Sequence, residues 1–390
     1  MHAPFMREAL DLARKGRALA SPNPMVGAVV VRDGEVVGRG FHTYDGLRHA
    51  EVVALAEAGA EARGAIVYLN LEPCSHHGRT PPCVDALIEA GVARVVAALT
   101  DANPRVAGEG FRKLREAGIE VEMAGEFAVE AAKLNEPFLH FMRTGRPQVT
   151  LKTAITLDGK ISAPDDNTGW ITSERARAHV QELRHDHDAI LTGIGTVLAD
   201  DPLLTDRSGL PRRRPLLRIV MDSLLRLPLE SKMVRSVSVG QVTDPPATQQ
   251  TGHVGDLPHG DLVVVTTSAS SPERRKILEA RGIRVLVFDG PGGRPDLPSI
   301  VDWLGRQQYL SLMIEAGSKV NWTALESGCV DRIFFYYGTK ILGGLEALPL
   351  AGGIGRRRRS DAIRIHGITI HPIPPDEFAV EGYVDVHWDH

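Results

Sequence analysis

RHAEVVALAEAGA (48–60) and LEPCSHHGRTPPCVDALIEAGV (71–92) decide how the first half of this chain folds, because each sets reactive side chains where a helix begins. After His49-Ala50-Glu51 the apolar residues recur at helical spacing, so His49 and Glu51 fall in the first turn. Upstream, GAVVVRDGEVVGRGFHTYDG (27–46) carries two apolar runs around Asp33-Gly34, a strong hairpin signal. IVYLNLEPC (66–74) reads as a buried strand ending at Cys74, and CVDALIEAGV (83–92) as a helix starting at Cys83. One imidazole and two thiols therefore meet at two helix N-termini and a strand end, where the positive helix ends favour thiolate over thiol. Such a donor set fills three corners of a tetrahedral zinc site and leaves the fourth for water. Glu51 is then placed to move protons between that water and a nitrogen leaving group. HAE alone recurs by chance, and a free cysteine often packs as a small apolar group. The convergence of all three residues is what points to zinc.

Composition bounds the rest. At 390 residues two domains are expected, and 43% hydrophobic with 24% charged residues is the balance of a globular protein. Three cysteines cannot make a fully paired disulfide framework, so a reducing cytoplasm is the expected compartment. The N-terminal MHAPFMREALDLARKG is amphipathic and mixed in charge, unlike a signal peptide, and no apolar run approaches the ~18 residues of a membrane span. A net charge of −4 and 5% aromatics argue against a nucleic-acid track. The run Arg356 to Arg359 is expected in a solvated loop.

Strand and helix patterns alternate over 26–32, 35–41, 50–59, 65–71, 84–90, 94–99, 108–117 and 119–123, which predicts a three-layer α/β sandwich. A helical stretch (126–147) ends at Gly145-Arg146-Pro147, and the domain boundary is set there. A second α/β series begins at 148–162, with a helix over 174–184 and strands at 188–193, 216–221, 261–266, 284–288, 311–315 and 331–337. The Pro-, Gly-, Thr- and Gln-rich stretch 236–260 is expected to be a mobile surface loop. ILTGIGTVLADDPLLTDR (190–207) reads as a strand, a glycine turn and two aspartates. IEAGSKVNWTAL (314–325) reads as a strand and a small-residue turn opening a helix, where backbone N–H groups could meet a nucleotide phosphate.

H-x-E followed by paired cysteines is the signature of zinc nucleobase deaminases, which usually have P-C-x-x-C. Here eight residues separate Cys74 from Cys83. That interval, with SPNPMVGAVVV (21–31), GFHTYDGLRHAEV (40–52), DANPRVAGEG (101–110), LKTAITLDGKIS (151–162), WITSERAR (170–177), GTVLADDPLLTDR (195–207), MDSLLRLP (221–228) and IEAGSKV (314–320), resembles the bifunctional deaminase–reductase family of riboflavin biosynthesis over nearly the whole chain. The resemblance implies a cytidine-deaminase-like three-layer αβα domain (1–145) and a dihydrofolate-reductase-like α/β domain (146–390). It implies one zinc per chain on His49, Cys74 and Cys83, with Glu51 catalytic, in hydrolytic deamination of a pyrimidine ribosyl phosphate. NADPH would then reduce the ribosyl group to ribityl.

By position in the family, Asn23, His42, His76, Arg79, Asp101 and Asn103 would meet the substrate's base and phosphate, and His77 would be a satisfied structural histidine. Ala154, Trp170, Thr196, Asp200, Ser223 and the turn Gly317, Ser318, Lys319, Val320, Asn321, Trp322 and Thr323 would line the NADPH site. Lys152, Thr168, Arg184, Leu204, Arg207 and Glu315 would face the reductase substrate, with Arg184 and Arg207 on its phosphate. A homo-oligomer, dimer or tetramer, is expected, with neither nucleic acid nor membrane as partner. Ala316-Gly317 stands where the family has Gly-Gly, bulky Asn321-Trp322 falls where small residues are frequent, and APDDNTGW (163–170) departs from a Gly-rich approach. These departures leave open a deaminase with a degenerate reductase half. A nucleic-acid deaminase, and a scaffold whose zinc is closed by a fourth ligand such as His76, are the other readings.

Overall fold

The computed structural model describes residues 2–103, 107–165, 168–237 and 260–385. Two compact units emerge: Met1–Gly145 with Pro211–Arg214, and Arg146–Leu210 with Pro215–His390. The expected loop over 236–260 lies almost wholly outside the described residues. Among the described residues, no helix is long and apolar enough to cross a membrane.

The first unit runs α1 (Ala3–Arg14), β1 (Gly27–Arg32), β2 (Glu35–Phe41), α2 (Ala50–Ala58), β3 (Ile66–Leu69), α3 (Cys83–Ala90), β4 (Arg94–Ala97), α4 (Glu109–Glu116), β5 (Glu120–Met123), α5 (Ala128–Leu134) and α6 (Glu136–Thr144). Its sheet order is β2-β1-β3-β4-β5. The strand β1 is antiparallel to both neighbours, whereas β3, β4 and β5 are parallel. Asp33 and Gly34, both at positive φ, turn the hairpin between β1 and β2. GAVVVR is apolar on both faces because both are covered. Ala28 and Val30 meet Ala50 and Ala54 of α2 and Leu87 of α3, while Val29 and Val31 meet Met6 and Leu10 of α1 and Ala131 of α5.

Two glycines of β2 set the height of α2. A Cβ on Gly40 would stand 2.1 Å from the Ala50 carbonyl oxygen, and one on Gly38 would stand 2.2 Å from that of Ala54. The helix therefore lies backbone on backbone against the strand. Helix 126–147 breaks into α5 and α6 at Asn135, whose side-chain amide accepts from Met25 N at 2.7 Å and donates to Met25 O at 2.9 Å.

The second unit runs β6 (Gln148–Thr156), β7 (Lys160–Ser162), α7 (Glu174–His185), β8 (Ala189–Gly193), α8 (Ile194–Asp200), β9 (Leu217–Met221), α9 (Lys232–Arg235), β10 (Leu262–Thr266), α10 (Pro272–Glu279), β11 (Arg284–Val287), α11 (Leu297–Arg306), β12 (Ser311–Ile314), α12 (Ser318–Glu326), β13 (Arg332–Gly338), β14 (Leu348–Pro349), β15 (Ile365–Ile373) and β16 (Glu377–Val384). Nine strands order as β11-β10-β9-β8-β12-β6-β13-β16-β15. The first seven are parallel, and β16 and β15 close the edge antiparallel. Leu191, Ile219 and Leu312 pack on Ile300 and Leu304 of α11, and Ile190, Val220 and Met313 on Val180 and Leu183 of α7.

One expectation needs correction, and one element was not foreseen. No glycine turn follows β8: Gly193 caps α8 directly, and Gly195 lies inside that helix. The reason is tertiary, since a Cβ on Gly193 would meet Val320 Cγ2 of α12 at 2.8 Å. The stretch 365–384, for which no element was expected, forms the β15–β16 hairpin, with β16 paired to β13.

Gly40→Ala should lower stability in urea unfolding by about 1–3 kcal/mol through overpacking against α2. Gly125→Ala, with nothing within 4 Å of the added Cβ, should leave it unchanged.

Candidate active sites

In the first unit the sulfurs and the imidazole converge. His49 is the N-cap residue of α2, Cys83 the first residue of α3, and Cys74 follows the end of β3. Their ligand atoms lie within 4.8 Å of one another. His49 Nδ1 is 2.9 Å from Cys83 Sγ and 3.4 Å from Cys74 Sγ. Zn–N and Zn–S bonds of about 2.0 and 2.3 Å in a tetrahedron span an edge of about 3.5 Å, so this donor set fits zinc with little movement. His49 Nε2 has its own partner in Thr80 Oγ1 at 3.3 Å. Among the described residues no fourth His, Cys, Asp or Glu joins the group. His76, the fourth ligand that a closed structural site would need, is exposed.

The electrostatics suit the chemistry. The Cys83 thiol donates to Cys74 and holds its thiol far below the ordinary range, and Cys83 itself is pushed up by the same bond. The backbone N–H of Cys83 adds a 3.3 Å bond to Cys74 Sγ. Glu51 is 3% exposed, and burial pushes its carboxyl up, aided by the Cys74 charge and opposed by His49. A raised carboxyl next to a metal site is the property of a proton carrier.

Asn23 and His42 join this site: Asn23 Nδ2 lies 3.0 Å from His42 Nε2, and the two histidine rings, His42 and His49, meet edge-on at 5.1 Å. Burial lowers the His42 pKa, which favours the neutral ring, and its Nδ1 faces the Arg48 carbonyl at 3.1 Å. Arg79 stacks on Tyr44 at 4.1 Å. Asp101 and Asn103 are half-buried on the loop before α4, with Asn103 N donating to Asp101 Oδ1 at 2.8 Å. His77, expected as a satisfied structural histidine, lies exposed just before Gly78.

In the second unit Lys152, Arg184 and Glu315 form one buried charge cluster. Lys152 Nζ donates to Glu315 Oε1 at 3.0 Å, and Arg184 Nη2 reaches both carboxylate oxygens at 3.0 Å. Burial alone would raise the Glu315 carboxyl, but the Lys152 and Arg184 charges overcome it and hold it at about 2. Burial lowers the Lys152 pKa, and Arg184 adds to the effect while Glu315 opposes it. The Arg184 fork thus holds Glu315 and the Thr205 carbonyl. Arg207 is exposed. Leu204, buried beside this loop, sits at φ +50°, a conformation rarely adopted by a bulky residue. Thr168 and Trp170 lie on an exposed turn, where Arg177 stacks over the Trp170 ring at 4.7 Å.

Of the remaining positions expected to line the cofactor, three stand beyond the carboxyl ends of parallel strands, the general ligand edge of open α/β sheets. Thr196 follows β8, Ser223 follows β9 and Gly317 follows β12, while Ala154 lies near the end of β6; Asp200 stands at the far end of α8. Thr196 Oγ1 would stand 3.8 Å from a Cβ on Gly317, and the buried Ser318 hydroxyl has no hydrogen-bond partner among the described residues. Lys319 is exposed, and the Thr323 hydroxyl donates to the Lys319 carbonyl at 3.0 Å. A helix start lined by glycine and an orphaned hydroxyl fits a dinucleotide phosphate. Asn321 and Trp322 follow in the same helix. Asn321 is fully buried and donates to the Leu350 carbonyl at 2.8 Å, and the Trp322 ring packs against Gly353. Both side chains thus contact the 350–353 segment.

Sequence reasoning missed the groups behind these residues. Tyr336 lies under Lys152, with Nζ 5.7 Å from its ring, and its hydroxyl meets His179 Nδ1 at 2.9 Å. His185 pairs with Asp206 at 2.8 Å, tying the end of α7 to the loop of Arg207. The LLTDR run held the only hint of the second pair.

Residues 1–99 match the cytidine and deoxycytidylate deaminase zinc-binding region, and residues 147–369 match the RibD C-terminal domain. The chain is 41% identical to riboflavin biosynthesis protein RibD of Escherichia coli (strain K12), over 95% of this chain and 96% of that one. It is 39% identical to RibD of Actinobacillus pleuropneumoniae, over 93% and 90%. Among solved structures, Acinetobacter baumannii RibD (form 1) aligns with a TM-score of 0.82 at 33% identity, covering 98% of both chains. The diaminohydroxyphosphoribosylaminopyrimidine deaminase/5-amino-6-(5-phosphoribosylamino)uracil reductase of Thermotoga maritima aligns with 0.78 at 34%, again over 98% of both.

Because the Glu315 pKa is depressed, its stabilisation is full above the ordinary 4.5 and is lost as pH falls through about 2. Glu315→Gln should destabilise at neutral pH by about 3 kcal/mol, the lower end for a broken buried pair, since 21% of the side chain stays accessible. In urea denaturation the gap from wild type should close between pH 4.5 and about 2.

Proposed function

The chain belongs to the RibD family of riboflavin-biosynthesis proteins, bifunctional enzymes with a zinc-dependent deaminase half and an NADPH-dependent reductase half. On that premise we propose that residues 1–145 form the deaminase domain and 146–390 the reductase domain. The first removes the C2 amine of 2,5-diamino-6-ribosylamino-4(3H)-pyrimidinone 5′-phosphate, and the second reduces ribosyl to ribityl, giving 5-amino-6-ribitylaminouracil 5′-phosphate. The Thermotoga maritima relative, a diaminohydroxyphosphoribosylaminopyrimidine deaminase and 5-amino-6-(5-phosphoribosylamino)uracil reductase, supports this order of substrates.

The observation that carries the first step is the three-ligand cluster of His49, Cys74 and Cys83 with buried Glu51 beside it. Zinc, when bound, supplies a Lewis acid and an acidified water at the reacting carbon. Glu51 takes the water proton and returns it to the departing ammonia, a task its raised carboxyl suits. His42, held neutral and braced by Asn23, orients the base. His76, Arg79, Asp101 and Asn103 complete the substrate contacts.

For the second step, NADPH supplies the hydride when bound. Ser318, Thr196, Ser223 and the first turn of α12 hold the dinucleotide along the carboxyl edge of the sheet, with Trp170 at its rim. Glu315 fixes the Lys152 ammonium, which points its hydrogens at the sugar, and Arg207 takes the phosphate. The intact Lys152–Glu315–Arg184 cluster favours an active reductase half over a degenerate one. We further infer a homo-oligomer in the cytoplasm. Its support is the edge strand β15, which exposes Ile368 and Ile370 at 51% and 61%, and three unpaired cysteines. Sedimentation at a monomer mass would overturn the oligomer.

Given the diamino substrate, the protein should release ammonia without NADPH and oxidise NADPH once it is added. Glu51→Gln should keep stoichiometric zinc and lose deamination by 100-fold or more, on the order of a general acid–base contribution. Retained ammonia release in that variant would sink the assignment.

A further inference from the structure

The turn that carries Cys74 also grips a helix. Glu72, two residues before Cys74, is 5% exposed and has no role in the chemistry above. Its carboxylate accepts four backbone N–H bonds: Oε2 from Asp101 and Gly108, each at 2.9 Å, and Oε1 from Gly110 at 2.9 Å and Phe111 at 3.3 Å. The last three donors belong to the start of α4, whose N-cap Gly108 offers no side chain to receive them. A buried anion from another part of the chain therefore does the work of the cap, where the helix dipole favours negative charge. The approach is close enough to exclude a side chain, since a Cβ on Gly110 would stand 2.3 Å from the Pro73 carbonyl oxygen. A second link runs the other way: Lys113 Nζ, one turn further along α4, donates to the Ser75 carbonyl at 2.8 Å. Cys74 thus lies between two anchors of the same helix, and the fourth bond to the carboxylate comes from the N–H of Asp101.

We propose that Glu72 is a positioning residue for the deamination step, resting on the zinc and substrate-loop assignments above: it locks the Asp101–Asn103 loop in register with the metal-bearing turn. The pyrimidine phosphate then meets a preformed pocket wall. Without the carboxylate the loop must be ordered at the expense of binding, which raises KM before it slows the chemical step. Glutamine keeps the shape but turns an NH2 group toward two N–H donors, so Glu72→Gln breaks about half of the set.

The test uses the full chain, with zinc content, deamination kinetics and NADPH oxidation on the deaminated intermediate measured side by side. Glu72→Gln should raise the deaminase KM by about tenfold while kcat changes by less than about threefold, the split expected when binding order and not chemistry is lost. Zinc should stay stoichiometric, reductase turnover should be unchanged, and the amides of Gly108, Gly110 and Phe111 should exchange faster. Glu72→Asp, which keeps the charge one methylene short, should recover part of the KM and reads the same split should the glutamine variant not accumulate. Loss of zinc together with kcat would make Glu72 a mere prop of the metal turn, and an unmoved KM would overturn the proposal outright. Wild-type ammonia release, and its loss in Glu51→Gln, separate a failure here from a failure of the reading beneath it.

Discussion

Everything in the first unit depends on how closely α2 can approach β2. Without a Cβ at Gly38 and Gly40 the helix backbone settles directly on the strand, and its first turn arrives at the sheet edge where β3 ends. His49 and Glu51 are carried there by backbone contact, and no flexible side chain has to reach. Cys74 leaves β3 at the same edge, and Cys83 begins the next helix beside it. The ligand set is therefore a product of close-packed backbone, which tolerates little displacement.

The two units solve the same problem with the same device. Each lays its chemistry beyond the carboxyl ends of parallel strands, where loops are free to vary while the sheet stays rigid. Each also plants one buried carboxylate just past a strand end to gather donors: Glu72 after β3, Glu315 after β12. Glu72 collects backbone N–H groups, so it organises a loop and a helix start. Glu315 collects an ammonium and a guanidinium, so it organises side chains. A buried anion is tolerable only with its donors in place, which makes both clusters all-or-none features of the fold.

Much of this was legible in the chain itself. Period-two and helical patterns marked most of the central strands and the hairpin at Asp33-Gly34, because those elements are long, apolar and punctuated by turn residues. The zinc residues were legible because the chemistry allows few residue types at that site. The contacts that the sequence did not show share a cause. Asn321 and Trp322 were read by place in a motif, but what they touch, Leu350 and Gly353, lies 29 and more positions away. The same holds for Arg184 with Glu315, 131 residues apart, and for Tyr336 with His179, 157 apart. The β15–β16 hairpin was not read from the sequence; β16 joins the sheet through β13, 45 residues upstream of its start.

The order of residues by itself determined which atoms could bind a metal, where most of the central strands and the zinc-bearing helices lie, and that the chain holds two α/β units, since these depend on local spacing and side-chain chemistry. Only the tertiary structure decided which arginine is exposed and which is paired with a neighbour, which carboxylate anchors a loop, and what the bulky residues of α12 pack against. Those outcomes are set by contacts between residues far apart in the chain, and distance along a sequence carries no record of distance in space.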